Sequence, residues 1–242
     1  VGPAFESGIA GRQVQPPAPA GNQPAPETAL PAAAADVQLR AGLVVPLLGS
    51  FGRTAVLTDF LAWQIATGAF REPREGDALG PDDRGRSQTW TRLEAGADGW
   101  FQNRALSGGY LCAVVNSARA RTMILDASGY YVVRINGEPR GGEKYGTEWV
   151  RHPVRLRAGR NVFLFQGERG RIRARLVEPA APISFTDVDA TLPDLITGAT
   201  GPIWAGIRLI NATEDTIDAV TVSYSAEDRN GTTVVPAVVA PL

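Results

Sequence analysis

Between Gly129 and Phe165 the sequence reads GYYVVRINGEPRGGEKYGTEWVRHPVRLRAGRNVFLF. An aromatic and β-branched run ends at Asn136-Gly137. Asn-Gly between two such runs is the strongest short-range hairpin signal, because both residues tolerate positive φ. A polar excursion follows and closes at Tyr145 and Trp149. The chain then alternates, turns at Ala158-Gly159-Arg160-Asn161 and leaves as Val162-Phe163-Leu164-Phe165. This punctuation predicts a β-sandwich that displays loops rather than a barrel that encloses chemistry.

The same spacing of strands and turns extends over residues 38–180. Strands are predicted at Leu43–Leu48, Ala62–Ala66, Gln88–Leu93, Tyr110–Asn116, Arg121–Asp126, Tyr130–Ile135, Val150–Leu156, Asn161–Gln166 and Arg171–Glu178. A brief helical turn fits near Thr58–Leu61, and residues 71–87, charged and rich in Gly and Pro, read as a long loop. In the last strand Ile172, Ala174 and Leu176 share one face and Arg171, Arg173 and Arg175 the other. A period of two sends the first set to a core and the second to solvent. Val162 to Phe165 is apolar on both faces, as expected of a central strand covered on both sides.

Two flanking segments differ in kind. Residues 1–37 are rich in Pro, Ala, Gly and Gln, and are predicted to be a disordered linker because they bury too little apolar surface to offset ordering. A helical turn could add at Ala33-Ala34-Ala35. Glu178-Pro179-Ala180-Ala181-Pro182 reads as a short linker into a second, partial immunoglobulin-like β unit over 181–242. There Ile203, Ala205, Ile207 and Leu209 alternate, as do Val220, Val222 and Tyr224, with a hairpin turn at Asp228-Arg229-Asn230-Gly231. The predicted class is therefore all-β, a β-sandwich followed by that partial unit.

The formal net charge of −1 gives no global field for nucleic acid, and no apolar run is long enough to span a membrane as a helix. With one cysteine, Cys112, no intrachain disulfide forms, and its apolar strand context predicts a buried, inert thiol. The chain begins at Val1, which suggests a processed N-terminus, and with the Pro-rich lead this points to an exported protein. Asn211 and Asn230 stand in Asn-x-Thr sequences that permit glycosylation in a eukaryotic secretory route.

Reactive groups are sparse. No Gly-x-Ser-x-Gly elbow occurs, and the single histidine, His152, lies beside arginines and Pro153, the setting of a hydrogen-bonding surface residue rather than a base. One His and one Cys do not make a zinc site. No cofactor is predicted; a structural calcium ion stays open, with Asp82-Asp83 and Asp187-x-Asp189 as its acids. Glu138, Glu143 and Glu148 read as loop solvation, since no facing carboxylate pair can be named. Among the aromatics Trp90, Trp100, Tyr110, Tyr130, Tyr131, Tyr145 and Trp149, the last two lie among Gly, Glu and Lys. Tyr145 and Trp149, with Arg140, are the candidate ligand-binding residues. The arginines at 169, 171, 173 and 175 read as a solvated strand face that discourages edge pairing.

The run Gly129–Gly137, then Tyr145, then Pro153–Phe165 resembles the galactose-binding-like jelly roll, in which a strand ending in Asn-Gly precedes a hydrophobic strand led by Gly-x-Asn. The resemblance covers roughly residues 40–180. It implies a non-catalytic module that binds carbohydrate or braces a neighbouring catalytic domain. A Pro-rich lead, a jelly roll and an immunoglobulin-like start are together similar to the front end of secreted bacterial hydrolases of the prolyl-oligopeptidase or α/β-hydrolase type. The catalytic part, a serine hydrolase, would then lie beyond Leu242. The alternative is a cell-envelope spacer or interaction protein without a catalytic partner. An enzyme using carboxylates and arginines is the third reading.

Overall fold

The computed structural model describes residues 23–31, 36–50, 58–142, 151–191, 197–198, 206–226 and 229–235. It is an all-β sandwich, as the sequence predicts. The first sheet has seven strands. They are β1 (Glu27–Leu30), β3 (Ala41–Val45), β8 (Thr91–Glu94), β10 (Tyr110–Ser117), β12 (Tyr130–Ile135), β13 (Glu138–Gly141) and β15 (Gly159–Gly167). The second has five: β2 (Val37–Gln38), β9 (Trp100–Gln102), β11 (Arg121–Ser128), β14 (Arg151–Leu156) and β16 (Arg171–Val177). Sheet one runs β13-β12-β15-β10-β3-β8 and sheet two β14-β11-β16-β2. From β10 to β12 and from β14 to β16 the chain crosses between sheets at each successive strand, so the hydrogen-bonded neighbours are distant in sequence.

The inter-sheet core follows from the period of two. Leu111, Ala113 and Val115 of β10 and Phe163 and Phe165 of β15 meet Met123, Leu125 and Ala127 of β11 and Ile172, Ala174 and Leu176 of β16. Tyr130 and Val133 of β12 enter the same core because a bulge lies between Tyr130 and Val132, where the register to β15 shifts. The alternate residues of sheet one, Tyr110, Cys112, Val114 and Leu164, face outward into a second apolar cluster. Sheet one is thus buried on both faces, which is why β10 and β15 lack polar alternation.

The cover over that outer face is helix α1 (Phe60–Ala66) with short pairs β4–β5 (Gly49–Ser50 with Thr58–Asp59) and β6–β7 (Ala78–Leu79 with Gln88–Thr89). The sequence predicts a strand at Ala62–Ala66; the structure has a helix. Asp59 is extended and accepts the Ala62 N–H at 3.0 Å as an N-cap, and Leu61, one helical turn from Ile65, is buried in the second cluster. The predicted long loop 71–87 likewise contains β6.

Two corners fix how the sheets connect. Asn136 and Gly137 have φ of 52° and 95° and join β12 to β13 with Ile135 opposite Glu138, the predicted Asn-Gly hairpin. At the β14–β15 crossover, Asn161 is fully buried. Its Nδ2 donates to Arg157 O and Gly159 O, each at 2.9 Å. Its Oδ1 accepts from Arg157 N and from Asn136 Nδ2, also at 2.9 Å. Asn136 Oδ1 in turn accepts the Val162 N–H at 3.0 Å.

The lead and tail differ from expectation in detail. Disorder is predicted up to residue 37, but β1 pairs in parallel with β10, and Ala25 and Leu30 are buried. Arg121 holds this lead in place, donating to Pro31 O at 2.7 Å and pairing with Glu178 at 2.8 Å. Residues 1–22 and the Ala33–Ala35 turn lie outside the described residues. The tail forms two separate antiparallel ladders, β17–β18 (Ile183–Thr191 with Gly206–Asn211) and β19–β20 (Val220–Ala226 with Arg229–Val235). Ile207 is exposed and Ile210 buried, with Ile210 and Ile124 of sheet two lining one depression. Ala226 pairs with Arg229, so Asn230-Gly231 belongs to a strand and not to the predicted turn.

Replacing Asn161 with Ala deprives the Asn136 amide and the half-buried Arg157 and Gly159 carbonyls of this partner. The variant is expected to lose about 3 kcal/mol of stability, read as a lower urea midpoint at unchanged slope.

Candidate functional site

A cleft of about 820 Å³ opens above helix α1. Three local features build it. The β4–β5 pair supplies Gly49, Ser50 and Thr58; the helix supplies Phe60, Ala62 and Trp63; the turn before β7 supplies Asp82, Asp83, Arg84 and Arg86. Trp63 is 57% exposed, with its ring 5.7 Å from that of Phe60. The helical period explains this placement. Leu61 and Ile65 turn down to the sheet, so Trp63 points up.

Asp59 anchors the floor. One carboxylate oxygen caps the helix, and the other accepts from Gln166 Nε2 at 3.1 Å and from the Tyr110 hydroxyl at 2.5 Å. Burial, and then the Asp59 carboxylate, push the Tyr110 phenol far above its ordinary range. Asp82 is equally committed. Its Oδ1 accepts the N–H groups of Arg84 and Arg86 at 3.0 and 2.9 Å, and Oδ2 meets the Arg86 guanidinium at 2.6 Å. Burial pushes the Asp82 carboxyl up, but the Arg86 guanidinium and the two backbone donors together outweigh it and hold the pKa below the usual value. Asp83 and Arg84 remain exposed and without a side-chain partner among the described residues. The cleft therefore offers an indole face beside one free acid and one free guanidinium, a combination that stacks on a flat apolar surface and hydrogen-bonds its edge.

Asp82 and Asp83, named from sequence as calcium acids, line this cleft; the described members of the aromatic set named from sequence do not. Tyr145 and Trp149 fall outside the described residues, as do Glu143 and Glu148. Arg140 is on edge strand β13, where it donates to Pro139 O at 3.0 Å and pairs with Glu138 at 3.1 Å; it does not line the cleft. Trp90, Tyr110 and Tyr130 are buried. Trp100 lies under two members of the arginine ladder, with Arg171 and Arg173 at 4.6 and 5.1 Å from its ring centroid. Arg175 pairs with Asp126 at 2.7 Å. Trp63 was missed because a strand reading hid the helical signal of Asp59 followed by Leu61 and Ile65, which was there to be read.

His152 Nε2 lies against the Gly141 carbonyl oxygen. Burial, with Arg208 and Arg140 nearby, pushes its pKa down, outweighing that hydrogen bond. Cys112 is buried and its thiol is pushed up by burial. Among the described residues no group of three or more His, Cys, Asp or Glu side chains is placed to hold a metal ion, and no helix is long and apolar enough to cross a membrane. The side chains of Asp187 and Asp189 are outside the description. Asn211 of the first Asn-x-Thr sequence is buried, and its Nδ2 donates to Asp215 O at 2.9 Å. Comparison with protein families, curated proteins and solved structures returns no match to this chain.

Because folding raises the Tyr110 pKa, the native state keeps a proton that the unfolded chain loses above pH about 10. Stability is thus full below that pH and falls as pH rises further, by up to about 1.4 kcal/mol per pH unit from this group. Comparing urea midpoints between pH 9 and pH 11 should show a shallower loss in Tyr110→Phe than in wild type.

Proposed function

We propose that this chain is a non-catalytic accessory module that presents a carbohydrate-stacking cleft, in the service of an exported hydrolase whose catalytic domain is separate from the residues described. The observation that carries the reading is Trp63, held up on a capped helix and flanked by the free Asp83 and Arg84. A sugar ring offers an apolar face to an indole and hydroxyls to a carboxylate or guanidinium. The volume fits a ligand of a few rings. A non-catalytic role is supported by how the reactive groups are used. Asp59 and Asp82 are committed to holding the fold, His152 meets a backbone carbonyl, and Cys112 is sealed in the second apolar cluster. The jelly-roll resemblance of residues 40–180 agrees with this reading.

A second reading is an envelope spacer or interaction protein. It is favoured by Ile183, Phe185 and Ile207, exposed at 40%, 51% and 51% on the β17–β18 ladder. These are large apolar side chains sharing one small ladder, the kind of patch that partners cover.

Titration with a panel of neutral oligosaccharides, followed by tryptophan fluorescence and calorimetry, separates the two. The accessory reading expects saturable binding that Trp63→Ala weakens at least about tenfold, with stability changed by no more than about 0.5 kcal/mol as for an ordinary surface substitution. Failure of every glycan to bind, or binding indifferent to Trp63→Ala, removes the carbohydrate role of this cleft.

A further inference from the structure

A second cleft, about 390 Å³, lies at the other end of α1 beside the Asn136-Gly137 hairpin. Its charges are unbalanced. Arg134, Arg157 and Arg160 line it with Glu72. Arg160 is neutralised, since it pairs with both Glu72 and Glu27. Arg157 is exposed at the rim, and its guanidinium has no partner among the described residues; only its backbone is used, by Asn161. Arg134 stands opposite Leu164 in the β12–β15 register and so projects from the outer face of sheet one. Its Nη1 is buried with no hydrogen-bond partner. Three guanidinium groups facing two carboxylates leave one positive charge, and a buried charged donor without an acceptor is costly to maintain. The remaining wall is apolar, formed by Ile65, Phe70 and Leu164.

We propose that this cleft binds a singly charged organic carboxylate whose carboxylate bridges Arg134 and Arg157 and whose apolar body lies against Phe70 and Leu164. A planar carboxylate matches the guanidinium forks of Arg134 and Arg157. One surplus positive charge matches a monoanion rather than a phosphate dianion. The apolar wall favours a hydrocarbon or aromatic body over a bare inorganic ion. The site is distinct from the Trp63 cleft and does not depend on the accessory-module reading.

The test uses the full chain and benzoate, titrated by calorimetry at low salt, with inorganic phosphate and the neutral isostere benzamide as comparison probes. Benzoate is expected to bind saturably at one site, benzamide not at all, and phosphate more weakly than benzoate. Arg134→Met is expected to weaken benzoate at least about tenfold, and Arg157→Gln by about threefold. Trp63→Ala leaves benzoate affinity unchanged. Arg134→Met also keeps or raises the thermal midpoint without ligand, because it removes an unsatisfied buried donor; a purely structural arginine would lower it. No saturable benzoate binding, phosphate binding more tightly than benzoate, or Arg134→Met binding like wild type would each overturn the proposal. Should Arg134→Met not fold, the exposed Arg157→Gln decides alone, and unchanged benzoate affinity in that variant refutes the site.

Discussion

The amide pair Asn136–Asn161 is the contact on which the sandwich turns. The two residues are 25 apart in sequence and sit at different corners, one in a hairpin within sheet one and the other where the chain crosses from β14 to β15. Asn161 has two donors and two acceptor sites on a single planar group, and nearly all of this capacity is spent on backbone at its own crossover and on Asn136. Asn136 then fixes the start of β15 through Val162. A side chain of another type could fill the volume but not answer donors and acceptors together. The start of β15 fixes the phase of Phe163 and Phe165 against sheet two and of Leu164 against the outer cover. A slip of one residue would exchange those faces, so two hydrogen-bonded amides set the register of the central strand.

Two-sided burial of sheet one has a further consequence. A sheet covered on both faces needs a second layer, and here residues between 48 and 90 provide it. Among the described residues the helix of that layer spans only Phe60–Ala66. Depressions remain beside the helix, and these are the two clefts. Asp59 ties the layer to the sheet through Tyr110 and Gln166, so the helix that raises Trp63 is anchored to β10 and β15. On the outer face of sheet two, Arg171 and Arg173 lie over Trp100 and Arg175 pairs with Asp126, while Ile124 faces the tail ladder beside Ile210.

The sandwich was legible because its signals are local and redundant. Asn136-Gly137, the alternation of Ile172, Ala174 and Leu176 against Arg171, Arg173 and Arg175, and the unbroken apolar run at Val162–Phe165 each state a conformation within a few residues. The cover layer was not legible for the opposite reason. Seven residues of helix show barely two turns of periodicity, and Ala62–Ala66 is apolar enough to pass for a strand. In the small ladder of Ala78–Leu79 with Gln88–Thr89, the strand at Gln88 is predicted, but its partner at Ala78–Leu79 falls in the stretch that reads as a long loop. In the tail, alternation identified strands but not which face they bury, because the burying surface, sheet two near Ile124, is remote in sequence. Trp63 takes its position from that layer, and Arg134, on β12 of sheet one, takes from it the wall of Ile65, Phe70 and Glu72 that faces it.

The contrast between satisfied and unsatisfied charge separates scaffold from site. Arg121, Asp126, Asp59 and Asp82 are partly or largely buried, and each has found its partner, so removing that partner would leave a charge to bear its desolvation cost alone. Such groups hold the fold and have little left for a ligand. Trp63, Asp83, Arg157 and Arg134 carry the opposite signature. Their apolar surface, charge or donor is left open at positions the neighbouring backbone holds firmly. A fold stabilised by two apolar clusters tolerates a few such vacancies. Their concentration around one short helix, rather than scattered over the surface, is the physical reason to look there for binding.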